Sequence, residues 1–234
     1  MAEWVVIIGG GSGIGEATAG AFLRRGAKVL IAGRDWSKLE AAAKRLGDVA
    51  FEGVDARNVD RLQALFERRG PFEHLVLTLS GGRGGGPFKS LSLDDLRSGL
   101  EGKLLAQLAA AQAALPYVTQ SITFVSSASA RAAMTGTAGL AAINGAVESV
   151  VRPLAVELAP IRVNCVAPGV IDTPWWDARP PEMKAAAFEH TAKTLPVGRV
   201  GKPEDVAAAI VAVSTNGFIT GTVVDVSGGA MLAR

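Results

Sequence analysis

The segment that most constrains this chain is its opening. An apolar run, Trp4–Ile8, ends in Gly9-Gly10-Gly11-Ser12-Gly13-Ile14-Gly15 and continues as a helix-forming stretch to about residue 25. Glycines let the backbone reverse sharply and let a helix lie close to the strand it follows, so strand–glycines–helix reads as the first unit of a βαβ arrangement. The alternation then continues. Short apolar runs at Lys28–Ala32, Val49–Gly53, His74–Leu79, Ile122–Ser126, Arg162–Ala167 and Val223–Val226 are separated by amphipathic segments near 36–46, 58–69, 92–114, 138–158 and 203–215. Continuous apolar strands joined by crossover helices predict an α/β fold: a doubly wound parallel sheet of about seven strands with helices on both faces. No internal repeat or linker divides the 234 residues, so one domain is expected.

Local signals support this order. Ser92-Leu93-Asp94-Asp95 resembles a capping box, with Leu96, Leu100, Leu104, Leu108 and Leu115 following at helical spacing. Pro203-Glu204-Asp205 suits a first helical turn. Pro153 falls inside a helical pattern and predicts a bend near Val150–Arg152. Two stretches break the alternation. Ser80–Pro87 is glycine-rich and follows the fourth strand, at the sheet edge where open α/β sheets bind ligands. Residues Thr173–Val200 carry Trp175, Trp176, Pro180, Pro181 and Pro196 and read as an irregular, lid-like segment, with the two tryptophans either at a pocket mouth or in packing.

Composition removes several classes. The formal net charge is +2, with cations and acids interleaved, so neither a nucleic-acid stripe nor a basic membrane helix stands out. The single cysteine, Cys165, lies in an apolar run and reads as a buried, inert thiol. His74 and His190 lack ligand-like spacing, so no metal site is expected. The chain enters a strand by Trp4 and holds no apolar run of membrane-spanning length, so a cytoplasmic location is expected.

The glycine turn carries the first chemistry. Gly9, Gly11, Ser12, Gly13, Ile14 and Gly15 stand where a helix N-terminus offers backbone N–H groups to a pyrophosphate, which predicts a dinucleotide cofactor. At the end of the second strand, Ala32-Gly33-Arg34 lacks the carboxylate that would hold ribose hydroxyls and supplies a guanidinium suited to a 2′-phosphate. NADP(H) is therefore favoured over NAD(H), with Asp35 read as the N-cap of the next helix.

Taken together, these motifs resemble the short-chain dehydrogenase/reductase family, with its Rossmann-like fold, over nearly the whole chain. The resemblance implies that Asp55 and Ala56 meet the adenine, that Ser80, Gly81 and Gly82 stand in the family's asparagine-rich turn, and that Pro168, Gly169, Ile171 and Thr173 lie beside the nicotinamide. Ser127 matches the family's catalytic serine. The family's tyrosine and lysine correspond to Leu140 and Asn144, so this is a divergent member without the Tyr-x-x-x-Lys pair. Lys103 stands where the family has a helix-borne asparagine, and this exchange implies a Lys103–Asn144 pair with Lys103 supplying the missing proton. Lys103 reaching solvent or the cofactor ribose is the competing reading.

Three functions stay open: hydride transfer to or from a small carbonyl or alcohol, with Ser127, Lys103 and Asn144 as the catalytic set; a silent NADP(H)-binding sensor or assembly subunit; or non-redox chemistry on the same scaffold with the nucleotide structural. The resemblance also implies a homodimer or homotetramer formed through the helices near 92–114 and 138–158, whose Ala106, Ala109, Ala110 and Ala113 would permit close approach.

Overall fold

The computed structural model describes residues 2–80 and 83–232. Seven parallel strands lie in the order β3-β2-β1-β4-β5-β6-β7. They are β1 (Trp4–Ile8), β2 (Lys28–Gly33), β3 (Ala50–Gly53), β4 (Phe72–Leu77), β5 (Val118–Val125), β6 (Arg162–Pro168) and β7 (Val223–Val226). The order reverses between β1 and β4, whose carboxyl ends meet at Ile8 and Leu77. A crevice opens at such a reversal, and ligands of open α/β sheets bind there.

Alternation along the buried strands supplies two cores. Val6 and Ile8 face one layer with α3 (Val59–Arg69) and α5 (Ala106–Ala114), where Leu62, Phe66 and Ala110 are sealed from solvent. Val5 and Ile7 face the other with α1 (Gly13–Leu23) and α9 (Pro203–Thr215), through Phe22, Val206 and Ile210. The expected helix at 36–46 is α2 (Trp36–Leu46), capped by Asp35, which accepts from Lys38 N–H.

Three expectations change. The segment 92–114 is not one uniform helix: α4 (Leu93–Gly99) passes into a π-helical stretch, Leu100–Leu105, before α5. In α5 the alanines expected to serve assembly, Ala106, Ala110 and Ala113, are spent inside the chain's own core, because they let the helix settle close to the sheet. The supposed irregular segment after Thr173 holds a short 3-10 turn, Pro174–Ala178, and a 14-residue helix, α8 (Pro181–Thr194), which starts on a proline that needs no N–H donor there. The bend expected near Pro153 is a break at Val150 between α6 (Ala138–Ser149) and α7 (Val151–Glu157). Pro153 then falls in the first turn of α7, where its missing N–H has no helical partner to lose.

Candidate active site

The turn after β1 is shaped by what surrounds it. Gly9 and Gly10 N–H both donate to the Ala32 carbonyl, at 2.7 and 3.3 Å, tying the turn to β2. A Cβ on Gly15 would run into the Gly9 carbonyl oxygen and lie 2.7 Å from Thr78 Oγ1. Thr78 leaves the end of β4 with its N–H and Oγ1 both bonded to the Ile8 carbonyl, at 2.9 and 3.1 Å. Thr78 therefore braces the glycine turn, a role hidden in the sequence because its partners lie 70 residues away.

Above the turn, the first backbone bond into α1 is Glu16 N–H to the Ser12 carbonyl, and the Ser12 hydroxyl caps nothing. The N–H groups of Gly13, Ile14 and Gly15 thus have no backbone partner among the described residues and point out of a helix N-terminus, where an anion is favoured. Thr173 closes this cradle from above: its Cβ and Cγ2 lie 3.2 Å from where a Gly13 Cβ would stand. The cradle fits a pyrophosphate by shape and by its unused donors.

At the β2 end, Arg34, Gly53, Val54, Asp55, Asn58 and Arg61 line a depression of about 330 Å³. Arg34 is exposed there and no acid follows β2 before it, as the sequence indicated. The Asp55 carboxylate is already held by Arg57, at 2.6 Å through Nη2, and that guanidinium pulls its pKa down. Ala56 is buried beneath. Arg61 was not anticipated; only its place three residues after the α3 cap, Asn58, hinted that it faces this depression.

The residues expected at the nicotinamide edge lie at the end of β6 and just beyond it. Pro168 is paired to Val226, and Gly169 N–H donates to the Val226 carbonyl at 3.1 Å. A Cβ on Gly169 would sit 2.8 Å from Ser227 Cα, so glycine is required for this approach. Ile171 is buried and bridged to Gly201, and its carbonyl accepts from Trp176 Nε1 at 3.1 Å. Trp176 packs edge-on against Trp175 and Phe188, while Trp175 carries the Arg179 guanidinium 3.2 Å from its ring centre. Trp176 is half-buried in this cluster, whereas Trp175 stays exposed. Ser80 is exposed at the β4 edge, and Gly81 and Gly82 lie outside the described residues.

The catalytic set does not assemble as expected. Lys103, on the π-helical stretch, donates from Nζ to the Ser126 carbonyl at 2.9 Å, and none of the described hydrogen bonds joins it to Asn144. The exchanged pair is therefore corrected: the long lysine stem turns inward to the end of β5, whereas Asn144 is held on its own helix. Burial lowers the Lys103 pKa to about 8, with the Glu148 carboxylate opposing the shift. Glu148 also accepts from Ser126 Oγ at 2.8 Å and pairs with Arg131 at 3.2 Å.

Asn144 donates from Nδ2 to the Leu140 carbonyl at 2.8 Å and to Ser129 Oγ at 3.2 Å. Ser127, at the tip of β5, accepts from Ser129 N–H and Ser129 Oγ. Leu140 faces the Gly84–Gly86 loop, its Cδ1 3.5 Å from where a Gly85 Cβ would stand, and supplies no proton. Cys165 is fully buried, which raises its thiol to about 11, and it takes no part. Among the described residues, no group of three or more His, Cys, Asp or Glu is placed to hold a metal, and no helix is long and apolar enough to cross a membrane.

This sheet order, with a glycine cradle at its reversal point and a serine at the tip of β5, defines a nucleotide-binding α/β oxidoreductase scaffold. The chain belongs to the short-chain dehydrogenase/reductase family. A family model described as Enoyl-(Acyl carrier protein) reductase matches residues 9–231. The chain is 33% identical to Short-chain dehydrogenase/reductase ATR9 of Stachybotrys chlorohalonatus (strain IBT 40285), over 97% of this chain and 96% of that one. It is 31% identical to the L-fucose dehydrogenase of Bos taurus, over 97% and 89% respectively. A solved small-chain dehydrogenase in complex with NADPH superposes with a TM-score of 0.87 at 31% identity, covering 99% of this chain and 100% of that one.

Proposed function

We propose that this chain is an NADP(H)-dependent oxidoreductase that acts on a small carbonyl or alcohol substrate, with Ser127 meeting the substrate oxygen. The observation that carries this reading is the uncapped N-terminus of α1 above a turn where a Cβ on Gly15 would collide. Arg34, exposed beside a depression without a free carboxylate, supports the phosphorylated cofactor. The similarity to a dehydrogenase solved with NADPH points the same way.

When bound, the nicotinamide supplies hydride. The residues do the rest. The α1 amides and the Thr173 wall hold the diphosphate, Pro168–Ile171 wall the nicotinamide side, and Thr173–Val200 serves as the lid, anchored through Trp176. Asn144 orders the hydroxyls at the tip of β5. Lys103 braces the strand end by holding the Ser126 carbonyl, so it acts on Ser127 only through the backbone. A cytoplasmic homodimer or homotetramer goes with this reading, and Leu105 and Val156, exposed on and beside the expected assembly helices, support it.

Titrating NADPH and NADH separately and following NADPH oxidation with a panel of carbonyls tests the proposal. NADPH is expected to bind about tenfold or more tightly than NADH, as a charge-assisted contact implies. Tighter NADH binding overturns the cofactor choice. Tight NADPH binding with no oxidation by any carbonyl moves the chain to the sensor reading, which the loss of tyrosine at position 140 favours.

A further inference from the structure

Ser129 has no place in the family resemblance, yet the hydrogen bonds of the site run through it. The chain starts at Asn144, which is 4% exposed. The Leu140 carbonyl can only accept, so it must face the amide nitrogen and fixes which end of the Asn144 side chain is which. The second Nδ2 proton goes to Ser129 Oγ at 3.2 Å. Ser129, itself 6% exposed, passes its own proton direction on to Ser127 Oγ at 3.2 Å. Ser129 N–H reaches the same oxygen at 3.3 Å.

A serine hydroxyl has two acceptor sites and one proton. Ser129 fills both acceptor sites of Ser127, and the Ser127 proton is left for another molecule. Every bond in the series points the same way, from the helix amide through two hydroxyls toward the partly exposed end, and bonds arranged head to tail strengthen one another. A hydroxyl in this state is a poor base and a poor nucleophile, because its lone pairs are engaged.

We propose that Ser129 is a positioning residue that makes Ser127 a donor-only hydroxyl, so the site engages its substrate through an oxygen that gathers negative charge. This rests on the oxidoreductase reading, and it gives Ser127 a defined part in it: stabilising the oxyanion formed when hydride reaches a carbonyl, rather than withdrawing a proton from an alcohol. The series polarises and does not relay. Neither the Asn144 amide nor either hydroxyl is an acid near neutral pH, so Ser127 keeps its proton while it stabilises the oxyanion. The proton that completes the alcohol comes from water, which leaves as hydroxide. Lys103 is outside the series, since its Nζ faces the Ser126 carbonyl.

Two arms test this, one without turnover. In the first, 4-nitrophenol is titrated into the full-length protein and its two protonation states are followed by absorbance. A donor-only Ser127 lowers the bound phenol's pKa, favouring the anion about tenfold. Ser127→Ala abolishes the drop, and Ser129→Ala, which keeps the backbone bond, removes about threefold of it. Ser129→Thr, which keeps the hydroxyl, restores it. No bound anion, or a drop that depends on neither serine, overturns the proposal.

In the second arm, NADPH oxidation is measured with 9,10-phenanthrenequinone. Ser127→Ala is expected to lower kcat about 10²-fold, as for loss of one oxyanion donor, and Ser129→Ala about tenfold, with NADPH affinity unchanged and Thr restoring the rate. Loss confined to KM, or no rescue by Thr, overturns it. A wild-type protein that binds phenolate through Ser127 and Ser129 but reduces nothing removes the oxidoreductase reading while leaving the donor series supported.

Discussion

The two halves of the crevice are made from different materials. The half proposed to hold the cofactor is main chain: the Gly9–Gly15 turn, the open amides of α1, the Ala32 and Ile8 carbonyls that hold the turn, and the tight passage of Gly169 past Ser227. The half proposed to carry the chemistry is side chain: Ser127, Ser129, Asn144, Lys103 and Glu148, each oriented by one or two hydrogen bonds. Main-chain sites tolerate almost no change where a Cβ has no room, whereas a side-chain network can be rewired one residue at a time. That difference makes the glycine turn far harder to alter than the set of side chains around Ser127.

Substitutions can break or sharpen this contrast, and they fall in a clear order of size. Gly15→Val is the severest test of the main-chain half. Its Cβ collides with the Gly9 carbonyl and Thr78, and NADPH affinity is expected to drop about 10²-fold or more by isothermal titration. Retained affinity would show that the turn can open. Arg34→Glu comes next, weakening NADPH by about 10-fold to 100-fold and NADH far less, because only the 2′-phosphate meets the new carboxylate.

Lys103→Met probes the side-chain half through pH. The folded-state pKa of about 8 lies below the ordinary 10.5, so the unfolded chain binds more protons between those values and wild-type stability climbs across that window. Below pH 8 the ammonium is charged in both states and the cost of burying it is constant. The Met variant should lack the climb, worth about 1–2 kcal/mol, in urea midpoints compared at pH 7, 9 and 10. A parallel climb in both proteins would move the titration to another group. The smallest effect is expected from Thr78→Val, which keeps shape, loses the Oγ1 bond to Ile8 and costs about 1 kcal/mol in denaturant unfolding.

The same division governs what the sequence revealed. Strand–glycine–helix order, the β6 run into Pro168–Gly169 and the uncompensated Arg34 all depend on local backbone or on the absence of a residue type, and all were legible. Thr78 and Ser129 were not, because each acquires its role from a partner on another element. The Lys103–Asn144 pairing was inferred from two positions exchanging residue types. No direct bond between them is among those described, because reach decides such contacts: the lysine stem extends to the Ser126 carbonyl just beyond β5, while the asparagine amide meets the Leu140 carbonyl and Ser129. The helix after Pro181 was hidden by its prolines and tryptophans, and the proline turned out to start it.

The π-helical stretch at Leu100–Leu105 works as a phase shifter. Leu96, Leu100, Leu104 and Leu108 recur every four residues, and on an uninterrupted α-helix each step would drift by about 40° around the axis. Widening the coil for a turn and a half takes up part of that drift, so all four leucines stay partly buried while Ala106 and Ala110 still reach the core beyond. Removing a single residue from this stretch would close the wide turn into an ordinary coil and leave the helix before it nearly in phase with α5, because the wide turn is what absorbs the extra residue. The wide stretch thus carries Lys103 to the strand end, and a cation stands behind Ser127 because of where that helix widens.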